Sequence, residues 1–433
     1  MTQEKILLVG DSLEGPTGFA TNLAGVAWSL ADKYEVHTLG LQSIRDNPVD
    51  IVLEDEKRTV FQHANFPRAN PKWDFGQRSL PILLDKLEPD LLITVNDIQM
   101  INHVPNALCP SSINLRVIDL PAKRFLSDEA LRMQLVGEVQ KFKEKFPRNT
   151  RFLAYAPQDG DPPMPEWGYT YRMADQVIAM SEYGRWVFRK WFNLEVPRIW
   201  HGVDTKVFVP RDKPKELQDK FVVGNLNRNQ PRKQPVRAIM AFAKFAKNKD
   251  DVLLHMQMDW NDIFGWPLQY FVNLYGIQNK VIPPRRVGMP RYEVARIYNM
   301  WDINLLPTGG EGFGLTTIEG YASNLPVLHT DYTTGKELVI DGKPSPRGIL
   351  VKVKDYHWER MDVAAVRRAL VDVDDLADKM NAYYYNRDML KAHGKNARDW
   401  VVKNCSWKVI EKQWKVAVDK VLSGEKIGGV LEW

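Results

Sequence analysis

A chain of 433 residues is long enough for two packed domains, and its 44% hydrophobic and 26% charged residues are ordinary globular values. No run approaches the ~18 apolar residues of a membrane span. The two cysteines, Cys109 and Cys405, have no metal-type spacing, which argues against a disulfide framework or a zinc cluster. The formal charge of +5 suits a protein that handles phosphates, an anionic membrane surface or nucleic acid, and does not choose among them. The opening MTQEKILLVGDS carries no cleavage pattern, so the cytosol, of a cell or of an infected host, is the expected compartment.

The first predicted element is a buried strand over residues 6–9, ending at Gly10. A loop with Gly15, Pro16 and Gly18 follows, then a helix over 21–31 and a strand over 34–39, which together open a parallel sheet. Strand-like runs recur at 90–95, 115–118, 151–156 and 176–179, with helical patterns at 80–87 and 127–145. A proline- and charge-rich stretch at 207–220 reads as a linker. A second series then begins: strand 221–225, helix 235–247, strand 252–256, helix 292–299, strand 303–307, helix 316–323 and strand 327–330. The tail around 406–422 is an amphipathic helix with Trp407, Ile410, Trp414, Ala417 and Val421 on one side. Strands alternating with helices predict an α/β fold in two consecutive halves. Ligands of such sheets bind at the carboxyl ends of the strands, so a site in a cleft between the halves is expected.

The most informative segment is LLPTGGEGFGLTTIEGYASNLPVL, which starts at Leu305. A strand ends and four glycines, Gly309, Gly310, Gly312 and Gly314, lead straight into a helix near Leu315. A glycine turn at a helix N-terminus offers backbone N–H groups and the positive end of the dipole to an anion, here a diphosphate. Glu311 and Glu319 are poor phosphate ligands and make sense as acceptors for sugar and ribose hydroxyls.

At these residues the sequence resembles the retaining GT-B glycosyltransferases of the glycosyl transferases group 1 kind. The run from Glu311 to Glu319 is similar to that family's two-glutamate signature, and Asn324-Leu-Pro-Val to its usual ending with Asn for Gly. ADQVIAMSEYGR from Ala174 and HGVDTKVF from His201 resemble two further family segments in the right order. The resemblance implies two Rossmann-like domains facing a central cleft: an acceptor domain over 1–205, a nucleotide-sugar donor domain over 206–403, and a terminal helix over 404–433 crossing back to the first. It also implies retention of anomeric configuration. Arg228 and Lys233, five apart, match the family's basic pair, which meets the donor diphosphate; Arg232 is adjacent and could substitute. Gly18, Gly310, Phe313, Gly314, Leu315, Thr316 and Glu319 are then expected to line the donor site, with Arg228 and Lys233. The reacting groups are expected to be Asp159, Arg228, Lys233 and Glu311. Asp159 takes the place of a strand-end histidine, with Asp97 as second choice; His201 is expected to shape its loop and not to act as a base.

The resemblance implies a nucleotide-diphosphate sugar as donor, and neither another cofactor nor a metal is expected. Asp372, Asp374 and Asp375 lie far from the phosphate signals and read as a helix cap. The acceptor is the open question. From Arg116 to Arg151 nine basic residues face five acids, a net of +4, which suits a lipid headgroup, an anionic glycan or DNA. A glycan or lipid-linked glycan is the first expectation, at a location that includes the membrane periphery. Glycosylation of hydroxymethylated DNA bases is the alternative, and a non-catalytic nucleotide-sugar binding protein the alternative of another class.

Overall fold

Strand β1 (Lys5–Asp11) buries every residue but its first, the pattern of a central strand covered on both faces. It lies in a seven-stranded sheet with β2 (Glu35–Leu41), β3 (Ile51–Glu54), β4 (Thr59–Ala64), β5 (Leu91–Val95), β6 (Arg151–Ala156) and β7 (Gln176–Ala179), in the order β3-β4-β2-β1-β5-β6-β7. All neighbours are parallel except β3, which runs antiparallel to β4 at the edge. The computed structural model describes residues 3–41, 50–65, 75–108, 149–165, 167–340, 345–361 and 364–428. The strand and helix expected at 115–118 and 127–145, and all of the basic stretch except Arg151, lie outside the described residues.

The helix after β1 spans Gly18–Leu30 and begins three residues before the expected position. Thr17 explains the difference: its hydroxyl accepts from the N–H of Ala20 at 3.0 Å, closing the first turn, and donates to Asp11 at 2.6 Å. The periodicity of apolar residues starts only after this cap.

The chain divides into two compact units, the first made of Met1–Gln158, Pro162–Trp200 and Ile410–Trp433, the second of Asp159–Asp161 and His201–Val409. In the first unit, the helix Trp407–Ser423 contributes Trp414, which is fully buried with its ring edge-on to Tyr155 at 4.8 Å between centroids. Lys33 pairs with Asp419 and Lys415 with Asp32, both at 2.5 Å.

The second unit holds a six-stranded, wholly parallel sheet: β8 (Phe221–Leu226), β9 (Val252–Gln257), β10 (Val281–Ile282), β11 (Ile303–Leu306), β12 (Val327–Thr330) and β13 (Gly348–Val351), in the order β10-β9-β8-β11-β12-β13. The stretch read as a linker is fastened to this unit. Phe208 is buried against Tyr298, and Lys213 pairs with Asp302 at 2.5 Å, whose carboxylate also accepts from the N–H of Val222 at 2.7 Å. Asp372 caps the helix Val373–Tyr385, accepting from the N–H groups of Asp374 and Asp375. A feature absent from the sequence expectations follows β13: an antiparallel hairpin of β14 (Val353–Met361) and β15 (Ala364–Val371). The two sheets with their helices make two Rossmann-like α/β units.

Replacing Trp414 by Ala empties a buried indole from the first unit, and a loss of about 3–5 kcal/mol is expected in urea denaturation. A loss under about 1 kcal/mol would mean that this helix contributes little to the unit.

Candidate functional site

Strand β11 delivers the glycine turn, and two of its glycines occupy backbone that other residues avoid: Gly310 at φ +156° and Gly314 at φ +114°. At Gly310 the space is also closed, because a Cβ there would sit 2.0 Å from the carbonyl oxygen of Asp159. Leu315 and Thr316 open the helix Leu315–Ala322, so their N–H groups are among those that helix geometry leaves without an internal partner.

Glu311 lies in this turn, almost fully buried. It receives the ammonium of Lys233, and the guanidinium of Arg232 stands 3.6 Å away. Burial raises the carboxyl pKa, but Lys233 and Arg232 outweigh that and hold it below the usual range, so Glu311 is ionised. Burial brings the Lys233 ammonium down to about 8 despite the opposing pull of Glu311. Lys233 ends the short turn Pro231–Lys233, and Gln234 with φ +49° redirects the chain into the helix Pro235–Phe245.

Asp159 joins the same cluster, its carboxylate 3.7 Å from Arg232 and 2.9 Å from Arg368. Burial raises its pKa, and the two guanidinium groups reverse that to a net lowering, so Asp159 is a fixed anion. Arg368 in turn binds Glu359 at 2.7 Å, and Arg232 donates to the carbonyl of Gly310 at 2.5 Å. Three cations and three carboxylates thus form one connected network.

The remaining expected residues fall elsewhere. Arg228 is more than half exposed and is held by Asp262 at 3.0 Å. Glu319, buried, pairs with Arg291 and accepts from the hydroxyl of Tyr298 at 2.9 Å. Phe313 is buried with its ring 4.9 Å from that of His201, whose burial lowers its pKa to about 3, so the imidazole is neutral. Gly18 and Asp97 belong to the first unit, where Gly18 starts a helix and the N–H of Asp97 donates to Asn96 at 2.8 Å. Among the described residues, no group of three or more His, Cys, Asp or Glu side chains is placed to hold a metal ion.

Sequence reasoning missed Arg291, Tyr298, Arg368 and Glu359. The last two sit on the hairpin, whose only sequence signal is a run of β-branched and aromatic residues in VKDYHWERM and AAVRRALV, with no glycine turn to mark it.

A side chain at Gly310 has to displace Asp159. Gly310→Ala is expected to lose about 1–3 kcal/mol of stability, read by thermal denaturation; an unchanged melting temperature would show that the turn tolerates the shift.

Comparison with known proteins matches residues 209–387 to the family model described as Glycosyl transferases group 1. The GDP-mannose-dependent alpha-(1-6)-phosphatidylinositol monomannoside mannosyltransferase of Mycolicibacterium smegmatis is 29% identical over 255 residues, 54% of this chain and 59% of that protein. The D-inositol 3-phosphate glycosyltransferase of Paenarthrobacter aurescens is 30% identical over 158 residues, 35% of this chain and 38% of that protein. The matches therefore span about half the length of these curated relatives. Among solved structures, a sucrose-phosphate synthase from Thermosynechococcus elongatus superposes with a TM-score of 0.71 at 16% identity, covering 98% of this chain and 100% of that one. Anabaena HepE, solved with UDP and glucose, gives 0.65 at 15% identity, covering 96% and 100%.

Proposed function

A chain that belongs to the glycosyl transferases group 1 family through residues 209–387, and takes the GT-B fold of these solved structures, is, we propose, a retaining transferase. It moves a sugar from a nucleotide-diphosphate donor to a hydroxyl of a glycan or lipid-linked glycan. The observation that carries this reading is the buried contact of Lys233 and Arg232 with Glu311 in the glycine turn. The names of the relatives support it, since one uses GDP-mannose on a phosphatidylinositol mannoside and another glycosylates inositol 3-phosphate.

The chemistry follows from the charges. Breaking the bond between the anomeric carbon and the phosphate oxygen leaves negative charge on the diphosphate, and fixed cations favour that state. Lys233 and Arg232 are the partly buried cations for it, and Arg228 is the exposed one. As the diphosphate engages Lys233, Glu311 is released to accept hydrogen bonds from the sugar hydroxyls. Asp159, an anion, accepts a hydrogen bond and does not donate a proton. The acceptor hydroxyl attacks from the face the diphosphate leaves, and its proton passes to the departing phosphate oxygen, which retains configuration. Because protein cations meet the developing charge, no metal is needed.

The test is a mass-spectrometric screen of GDP- and UDP-sugars against glycan, lipid-linked glycan, inositol phosphate and hydroxymethylated-DNA acceptors, with and without EDTA. Transfer to a glycan or lipid-linked glycan, unaffected by EDTA and with the anomeric configuration kept, is expected. Binding of nucleotide without turnover of any donor would identify a non-catalytic binding protein.

Two kinetic results should follow. Arg232→Ala is expected to lower kcat by about 100-fold, more than Arg228→Ala, because the less exposed cation meets the larger share of transition-state charge; a larger loss at Arg228 would reverse the assignment. The alkaline limb of donor kcat/KM should fall through about pH 8 as Lys233 loses its proton.

The ribose is assigned to Glu319. Glu319→Ala should weaken binding of the free nucleoside diphosphate by about 1.5–3 kcal/mol in calorimetry. Unchanged affinity would leave Glu319 as a partner of Arg291 and Tyr298 alone.

A further inference from the structure

The hairpin of β14 and β15 reaches three separate loops of the second unit through the residues of one strand. At Ala369, the N–H donates to the carbonyl of Gly309 at 3.1 Å, and the carbonyl accepts from the side chain of Gln234 at 2.6 Å. Val371 closes the second half of that amide grip, donating to the Gln234 oxygen at 3.0 Å. Arg367 donates to the carbonyl of Asp161 at 3.0 Å. Between these, Arg368 is wholly buried and donates to the carbonyl of Asp159 at 2.6 Å while pairing with its carboxylate at 2.9 Å. Both of these contacts are made by Nη1, and Nε is fixed by Glu359 from the opposite strand at 2.7 Å.

A planar guanidinium held through two of its nitrogens is a rigid fork, and here one prong, Nη1, takes both the peptide carbonyl and the carboxylate of one residue. The surroundings leave that residue no other place. Gly160 lies so close to β15 that a Cβ would meet Val366 at 2.1 Å, and the Asp159 carbonyl fills the space above Gly310. The glycines and the fork together press the segment Asp159–Asp161 against the turn that carries Glu311.

We propose that Arg368 is a positioning residue for sugar transfer: through its fork on Asp159 it sets that carboxylate, and the neighbouring Gly309–Gly310 turn, in the arrangement the reacting sugar meets. The inference rests on the reading of Asp159 and Glu311 as parts of a transfer site. Arg368 touches no substrate and acts through Asp159. Glu359 acts one step further back, as the anchor of the fork. The hairpin is then part of the working site, although no motif marks it.

The test uses the full chain and four variants: Arg368→Lys, Arg368→Met with Glu359→Gln, Asp159→Asn, and the last two combined. Removing Arg368 and Glu359 together avoids leaving the Glu359 carboxylate without its cation, and Asp159 keeps Arg232 at 3.7 Å, which protects the fold. Hydrogen exchange reads the placement directly and needs no substrate. The amides of residues 159–161 and 309–311 should lose protection in the Arg368→Met/Glu359→Gln protein, while those of β8 and β11 keep theirs. Calorimetry with GDP and UDP should show little change in affinity. Turnover of GDP-mannose or UDP-glucose should fall about 10- to 100-fold, Arg368→Lys should recover part of it, and the acid limb of the rate should move to higher pH as Asp159 loses a cation. Combined with Asp159→Asn, the loss should not grow, because both changes act on one group.

Unchanged protection at 159–161 and 309–311 overturns the placement. Losses that add to those of Asp159→Asn, or that track nucleotide affinity, overturn the role. If the wild-type chain turns over no donor while the protection changes as stated, the transfer reading fails and the fork on Asp159 stands.

Discussion

A charge taken out of water must be met by another charge or by several hydrogen bonds, and the second unit places six in one network. Lys233 meets Glu311, Arg232 stands between Glu311 and Asp159, and Arg368 links Asp159 to Glu359. The backbone conforms to this network. Gly310 and Gly160 are glycines because side chains there would collide with the Asp159 peptide and with β15, and Gln234 takes a left-handed turn with its amide gripping β15 at both ends. Removing one member leaves its partner's charge partly shielded from water without its counter-ion, so the arrangement of the three loops depends on all six.

The same network explains why the two expected basic residues differ. Lys233 ends a tight turn whose carbonyl and amide groups are already engaged, which aims it inward. Arg228 lies before that turn, on a stretch held from the other side by Asp262, and remains in solvent. An exposed guanidinium beside one carboxylate is weakly committed. A buried ammonium whose proton is already less tightly held responds strongly to a new anion.

The inner strands of both sheets were legible because a parallel sheet buries both faces and writes itself as short apolar runs: residues 327–330 match β12 at both ends, and 151–156 match β6, whereas β3, β4, β10 and β13, toward the sheet edges, were not expected. The glycine turn was legible because φ above zero and a close approach leave few residues to choose from. Helix starts were less so, since the cap at Thr17 lies outside the apolar period. The hairpin was not legible. No glycine separates its two strands in the sequence, and Arg368, a buried arginine in a strand, looks like a surface residue until its partners from positions 159 and 359 are in place. Likewise Arg291 and Tyr298 reach Glu319 across a fold that spacing alone does not reveal.

The pairing of Lys233 with Glu311 has a consequence for selectivity among the solutes of a cell. In the proposed site, a small inorganic anion that draws Lys233 away leaves Glu311 with Arg232 at 3.6 Å as its one cation among the described residues, since the anion brings nothing to donate in return. A molecule that carries an anionic group and, a short distance along, a cluster of hydroxyls satisfies both halves of the broken pair at once. On the proposed reading, the resting ion pair is therefore a filter as well as a scaffold: it disfavours phosphate and sulfate, which take one cation from Glu311 and give nothing back, and it favours compounds in which charge and polyol are joined.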